Sequence, residues 1–433
     1  IALGLVFLPA IVSGAAEMRF PPPDFQTAYK VPDIDVWPVQ SSNGTKDAVI
    51  LFIALSITTW LVFKARSRRG LFLMSIFSLA YFGFYRTGCI CPVGSTQNVM
   101  AAVFLPDVYV SVAVLSFFVM PLLFSLFFGR VFCASVCPLG AMQELVAIAP
   151  IRISPALDRM LGLGRYLYLG LAVLGVATGA GFFICRWDPF VGIYRLGHSY
   201  GMLLAGAVIL ILGVFVARPY CRFLCPYGVL LGWMSKFSKF HLDIAPQSAC
   251  VSCRLCENSC PYNAIDMPTP QHLVEDPGIG KRRVRALVLA SPVIILIGAL
   301  GGYWMYEPLS RMHPTVALAE RVNLEDKGAI KGDNLETRTF RAAKKTKEDL
   351  NAEALKIREW FKPGGAALGG FMALMICLKL IQLSTVPKRE VYTPAKETCF
   401  SCGRCYPYCP VEEPKAAASP KAAAKPKPEA VAA

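Results

Sequence analysis

Two cysteine runs, Cys250, Cys253, Cys256 and Cys260 followed by Pro261, and Cys399, Cys402, Cys405 and Cys409 followed by Pro410, repeat one spacing, C-x2-C-x2-C-x3-C-P. Two apolar stretches, near 286–305 and 366–386, stand between them. The spacing is that of bacterial 4Fe-4S ligands: three thiolates share a tight loop and the fourth lies beyond it, before a proline. A zinc or disulfide reading would need the same spacing to arise twice by accident. Two 4Fe-4S clusters are therefore expected, in a lobe whose halves are separated by a pair of spans.

The remaining sequence is largely membrane. Mean hydropathy is +0.48, and 17% of residues are charged, where a soluble protein carries about 25%. Apolar runs long enough for a hydrocarbon core of roughly 30 Å lie near 47–63, 70–87, 109–128, 166–184, 200–217, 286–305 and 366–386. The expected fold is mainly α: a polytopic bundle of about seven spans with a two-cluster ferredoxin-like lobe split by a transmembrane hairpin.

Short loops rich in Lys and Arg stay on the cytoplasmic side. Lys64, Arg66, Arg68 and Arg69, then Arg130 and Arg152, then Arg218, Arg222, Lys236 and Lys239, then Lys281, Arg282, Arg283 and Arg285, and finally Lys388 and Arg389 mark alternate connections. The expected localisation is a bacterial inner membrane, crossed several times, with both cysteine runs cytoplasmic and the 307–362 loop periplasmic. That loop carries 12 Lys or Arg against 10 Asp or Glu and reads as helical around 342–361. It is open to two readings, a partner contact or a solvated amphipathic helix. The net charge of +15 is taken up by the positive-inside loops and the tail, so no nucleic-acid partner is expected. Residues 1–16 read as a signal-like or anchor segment, 17–46 as a Pro-rich periplasmic stretch, 47–240 as a five-span domain and 241–280 as the first half of the lobe. The hairpin takes 281–386, the second half of the lobe 387–413, and a disordered Ala/Pro/Lys tail 414–433.

A second pattern repeats inside the membrane part. Cys133-Ala-Ser-Val-Cys137-Pro-Leu-Gly140 and Cys221-Arg-Phe-Leu-Cys225-Pro-Tyr-Gly228 share C-x3-C-P-x-G, introduced by Arg130 and Arg218. Upstream, Cys91-Pro92-Val93-Gly94 corresponds loosely to Pro189-Phe190-Val191-Gly192 after Cys185. An internal duplication about a pseudo-twofold axis would gather Cys133, Cys137, Cys221 and Cys225. Three readings stay open for them: a third iron-sulfur or metal centre, since soft thiolates select such groups; buried thiols capping tight turns; or redox-active thiols. Cys89, Cys91 and Cys185 could form an outer redox site. Trp187, Asp188, Arg195 and His198 line a quinone or partner pocket on one reading and are interfacial anchors with a satisfied ion pair on the other. Cys377 reads as a packed core thiol, and His241, His272 and His313 as surface residues.

Paired C-x3-C-P motifs followed by a two-cluster ferredoxin resemble the membrane-bound polyferredoxin family containing NosR and NapH, over residues 47–412. The resemblance implies an electron-transfer subunit of a respiratory membrane complex in anaerobic respiration. Such a subunit works between the quinone pool or a cytoplasmic donor and a periplasmic or membrane partner. Cys133, Cys137, Cys221 and Cys225 match the paired family motif. Partners implied are other subunits of the complex, a flavoprotein or cytochrome among them, with quinone or quinol and membrane lipid; flavin is expected only through a partner subunit. In the two-cluster ferredoxin fold the fourth cysteine crosses over, which assigns Cys250, Cys253, Cys256 and Cys409 to one cluster and Cys399, Cys402, Cys405 and Cys260 to the other. A membrane redox or iron sensor is the alternative function. No nucleotide-binding glycine loop or nucleophile–base pair is evident, so no independent catalytic site is expected, and quinol oxidation is the one chemistry left open.

Overall fold

A computed structural model describes residues 41–86, 88, 92–105, 108, 110–148, 150–182, 184, 188–195, 200–244, 250–269, 277–330, 334–343, 346–385 and 389–410. The readings for residues 1–40 and 414–433, and those for Cys89, Cys91, Cys185, Trp187, His198 and His272, lie outside the described residues.

Each of the seven apolar runs overlaps a helix. Among the described residues four helical segments, against the seven spans expected, are long and apolar enough to cross a membrane: Gly44–Phe63, Pro155–Ala177, Gly280–Trp304 and Lys347–Ser384. Two shorter apolar helices are Val112–Phe128 and Tyr200–Phe215. At 1.5 Å per residue these two reach about 25 Å, slightly less than a hydrocarbon core. The run expected at 70–87 forms α2 (Arg68–Ser78), which passes into a π-helical stretch, Leu79–Tyr85.

In chain order the membrane part comprises α1 (Ser41–Phe63), α2, α3 (Pro92–Phe104), α4 (Val112–Phe128), α5 (Pro138–Val146), α6 (Pro155–Leu161) and α7 (Gly164–Ala177). There follow α8 (Pro189–Tyr194), α9 (Tyr200–Phe215), α10 (Pro219–Phe223) and α11 (Pro226–Lys236). Proline opens α3, α5, α6, α8, α10 and α11, where its missing N–H costs nothing and its fixed φ suits the first turn. Leu55, Phe82, Phe132, Phe190 and Tyr227 fill the main core. Outward faces stay apolar, with Leu289 73%, Ile297 64% and Leu296 59% exposed, as a lipid-covered surface requires.

The lobe is small. It contains α12 (Leu255–Ser259) and β1 (Ile265–Asp266), which pairs antiparallel with β2 (Thr393–Pro394), Ile265 facing Pro394 and Asp266 facing Thr393. Between the strands run α13 (Pro277–Trp304), α14 (Tyr306–Ser310), α15 (Pro314–Asp326), α16 (Leu335–Ala342) and α17 (Lys347–Ser384). The structure refines the expected 307–362 loop: α17 starts at Lys347 and continues unbroken into the span. Val316, Ala319 and Val322 of α15 bury against Leu350 and Ala354 of α17 in a separate small core.

Glycine sets the approach of α13 to α17. A Cβ at Gly302 would lie 2.1 Å from the Gly365 carbonyl, and one at Gly369 would lie 2.1 Å from that of Gly298. The backbones therefore touch along two facing G-x-x-x-G faces, a packing mode that association in lipid favours. Leu368 of α17 similarly fills the space over Gly170 of α7.

Gly302→Leu should force the helices apart and destabilise the protein by an overpacking cost of about 1–3 kcal/mol. Gly301→Leu, where an added Cβ meets nothing within 4 Å, should be close to neutral. Thermal unfolding of the two variants in detergent, with bound iron measured alongside, checks the contrast.

Candidate metal centres

Both ferredoxin-type runs fold into the same loop. Ser252 and Arg254 flank Cys253 with φ of 54° and 63°; Ser401 and Gly403 flank Cys402 with φ of 50° and 69°. Left-handed residues on either side of the middle cysteine curl the backbone so that successive N–H groups face inward, the concavity that suits anionic groups. The Ser401 amide donates to Cys399 Sγ at 3.4 Å. Each loop then enters a short helical turn, α12 in one and Tyr406–Tyr408 in the other, and leaves through an extended cysteine, Cys260 or Cys409.

The β1–β2 ladder brings the halves together. The Ala395 amide donates to the Ala264 carbonyl at 2.9 Å, Arg389 pairs with Asp266 at 2.7 Å, and the Tyr262 and Phe400 rings stand 4.9 Å apart. As a result, one cavity is lined by Cys250, Cys253, Cys256 and Cys409, and a second by Cys260, Cys399, Cys402 and Cys405. Each run thus contributes three cysteines to one cavity and its fourth to the other.

Cys133, Cys137, Cys221 and Cys225 line a third cavity together with Pro92 and Val93, so the first turn of α3 reaches these thiols. The two C-x3-C-P units exchange arginines. Arg218 donates to the carbonyls of Cys133 and Ala134 and packs over Gly140, while Arg130 packs over Gly228, where a Cβ would come 3.1 Å from its Nη2. The glycine two residues after each proline is the space the opposite arginine occupies. Cys137 and Cys225 sit as N-caps of α5 and α11, and the Gly228 amide donates to Cys225 Sγ at 3.3 Å. Gln143 Nε2 donates to Cys221 Sγ at 3.2 Å.

Burial pushes the Cys399 thiol up to about 12, and it raises Cys260 and Cys405 as well. Cys137, Cys221 and Cys225 shift in the same direction for the same first reason. Such thiols stay protonated in the bare protein, so a bound metal must displace their protons. Among the described residues no three His, Cys, Asp or Glu side chains converge tightly enough for a single metal ion; the cysteines ring cavities instead. Four soft ligands around each cavity, with the Ser401 amide donating to Cys399 in the second lobe loop, fit a 4Fe-4S group in composition.

One buried carboxylate binds the lobe to the membrane part. Glu144 of α5, 4% exposed, accepts from Arg218 Nε at 2.9 Å, Arg404 Nη2 at 2.6 Å and Tyr262 at 3.1 Å, and pairs with Arg68. Arg68 also donates to the Cys402 carbonyl at 3.0 Å. The Arg130 guanidinium lies 4.4 Å from the Phe400 ring centre, and that of Arg218 lies 5.8 Å away. No spacing in the sequence pointed to Glu144 or Phe400; their roles arise from distant elements meeting.

Other residues behave differently from their sequence readings. His241 is half-buried, its Nδ1 3.2 Å from the Leu242 carbonyl, and His313 caps α15 by accepting the Thr315 amide. Neither is a free surface residue. Asp188 is buried as the cap of α8 and accepts from Phe190 N and Tyr220. Cys377 is a packed core thiol, 1% exposed.

A family described as "4Fe-4S binding domain" matches residues 110–154 and again 199–244, each match enclosing one C-x3-C-P unit. Another of the same description matches 246–266. An uncharacterized protein of Methanocaldococcus jannaschii is 40% identical over 16% of this chain and 28% of its own length. The putative electron transport protein YccM of Escherichia coli is 39% identical over 14% of this chain and 16% of its own. Protein NirI of Paracoccus denitrificans is 30% identical over 28% of this chain and 18% of its own. The chain thus spans less than a third of each of these relatives. No solved structure matches it.

Desolvation raises the Glu144 pKa, but Arg218, Arg404 and Arg68 outweigh it and hold the carboxyl well below the usual range. Its contribution is complete above the unfolded value of about 4.3 and is lost as pH falls toward the folded one. Glu144→Gln leaves Arg218 buried without a carboxylate and should cost about 3–5 kcal/mol. Arg68→Gln, on the exposed side of the cluster, should cost about 1 kcal/mol or less. Hydrogen exchange across 250–269 and 389–410 is the measurement: fast exchange in the first variant and near-native protection in the second.

Proposed function

We propose that this chain is a membrane electron-transfer subunit of the NosR/NapH kind. It would relay electrons between the quinone pool or a cytoplasmic donor and a periplasmic or membrane partner of a respiratory complex. The observation that carries this reading is the adjacency of three four-cysteine cavities. Cys256 shares an apolar cluster with Cys405 and Cys409, and Cys399 and Cys402 share another with Cys221 and Cys133. The cavity of Cys260, Cys399, Cys402 and Cys405 therefore lies between the other two, a row leading from the lobe into the membrane part. The two family matches over the C-x3-C-P units and the likeness to YccM, a putative electron transport protein, support the same reading.

In this proposal Cys250, Cys253, Cys256 and Cys409 hold one cluster, Cys399, Cys402, Cys405 and Cys260 a second, and Cys133, Cys137, Cys221 and Cys225 a third centre. A 4Fe-4S cluster supplies one-electron transfer at a potential set by its surroundings. The protein's own contributions can be named. Tyr262 and Phe400 keep water from the middle cavity. Buried Arg130 and Arg218, 1% and 0% exposed, place positive charge between it and the C-x3-C-P thiols, which favours the more negative, reduced state of neighbouring groups. The inner-membrane location, the cytoplasmic lobe and the supply of flavin by a partner subunit belong to the same proposal, supported by the alternation of basic loops.

Iron and acid-labile sulfide quantification with low-temperature EPR, through a stepwise redox titration of anaerobically purified protein, tests it. About twelve irons per chain and a signal lost selectively in Cys133→Ser are expected. About eight irons would make the C-x3-C-P thiols structural, and little iron in a folded protein would overturn the relay. Cys409→Ser should alter the signal of the cluster held by Cys250, Cys253 and Cys256; if it alters only the other, the crossed ligand sets are wrong.

A further inference from the structure

A cavity of about 920 Å³, lined by none of the cysteines, lies where the first turns of α6 and α7, the last turns of α17 and the β1–β2 ladder meet. Eight Lys or Arg side chains line it against four Asp or Glu. Three carboxylates are already engaged: Asp158 by Arg222 at 2.6 Å, Glu397 by Lys379 at 2.5 Å and by Arg165 at 3.5 Å, and Asp266 by Arg389 at 2.7 Å. The excess positive charge is concentrated in buried groups. Arg130, Arg165 and Arg222 are 1%, 8% and 7% exposed. Arg130 Nε, Arg165 Nε and Arg222 Nη2 are each buried without a hydrogen-bond partner among the described residues.

A buried guanidinium N–H left unpaired is costly. Three of them around one cavity require an acceptor, and a phosphate supplies several charged ones at once. The cavity also opens beside apolar side chains that face outward. Leu157, Met160 and Leu161 of α6 are 48%, 71% and 43% exposed, and Leu383 of α17, which lines the cavity, is 51% exposed. Both helices belong to segments long and apolar enough to cross a membrane, which sets these side chains at a span's end, level with acyl chains rather than in bulk water.

We infer that this cavity binds the headgroup of one anionic phospholipid, its phosphate meeting Arg130, Arg165 and Arg222 and its acyl chains running along α6 and the end of α17. A free phosphate would satisfy the arginines and leave the apolar rim uncovered; a zwitterionic lipid would cover the rim and leave the charge excess unbalanced. The lipid sits where the second lobe half, through Glu397 and Phe400, meets the membrane part. The inference does not depend on the electron-transfer reading, because its readout is bound lipid rather than iron.

The full-length protein is purified in mild detergent, and its retained phospholipid is identified and quantified by mass spectrometry. About one phosphatidylglycerol-type lipid per chain is expected, competed by phosphatidylglycerol and not by phosphatidylcholine or inorganic phosphate. Arg165→Gln and Arg159→Glu, the latter altering an exposed residue of the cavity rim, should each weaken retention roughly tenfold, the effect of one charge-assisted contact, with iron content unchanged. Equal competition by phosphatidylcholine, displacement by inorganic phosphate alone, or full retention in Arg159→Glu would overturn the inference. Should Arg165→Gln fold poorly, Arg159→Glu and the wild-type competition still decide it.

Discussion

Glu144 holds the molecule's two functional parts in register. Three arginines and a tyrosine reach it from four places in the chain: Arg68 at the start of α2, Arg218 between α9 and α10, Tyr262 in the first lobe half and Arg404 in the second. In a buried setting, removing the carboxylate leaves Arg218 without a counter-ion, whereas losing Arg68 at the exposed edge still leaves the carboxylate two guanidiniums. The carboxylate is therefore the group on which docking of the lobe depends. It also fixes the distance between the lobe cysteines and the C-x3-C-P cysteines, since Arg218 bonds Glu144 and the Cys133 carbonyl with the same guanidinium.

The duplicated membrane unit is built around an exchange that each half cannot make alone. Arg130 crosses to Gly228 and Arg218 crosses to Gly140, so the turn that carries one cysteine pair is propped by the arginine of the other. Both arginines then face Phe400. Two halves with one sequence pattern are not used identically, however: Arg218 has Glu144 as its counter-ion, whereas Arg130 donates to the Glu397 carbonyl at 3.3 Å. The asymmetry follows from the different lobe and membrane partners each arginine meets.

The parts of this architecture legible in the sequence were those carried by local spacing. The cysteine runs fix their own loop geometry, and apolar runs mark their own helices. Facing glycines were present in the sequence, at Gly298 and Gly302 and at Gly365 and Gly369, but their pairing depends on the relative register of α13 and α17, which no one-dimensional pattern carries. No local pattern singles out Glu144. Its environment comes from partners 74 to 260 positions away. A helix around 342–361 was legible in the sequence, but its unbroken continuation into the span was not, because charged residues on 347–362 give no apolar signal; Thr346 caps the helix with its side chain, and the helix gains its inner contacts from α15.

Splitting the lobe around a hairpin has a physical consequence for assembly. The first half, with Cys250, Cys253, Cys256 and Cys260, emerges before α13; the second half can reach it only after α13 and α17 have packed through their glycines and α17 has docked on α7. Closing a connection longer than a hundred residues by chance would be slow and entropically costly, but two packed antiparallel spans return the chain to the membrane face it left. The β1–β2 ladder supplies only two residue pairs, too few to be stable alone. Its persistence must come from the Arg389–Asp266 pair, the Tyr262–Phe400 contact and the Glu144 cluster acting together. The lobe is therefore a product of membrane packing, and the cysteines that cross between its halves meet only when the spans beneath them are in place.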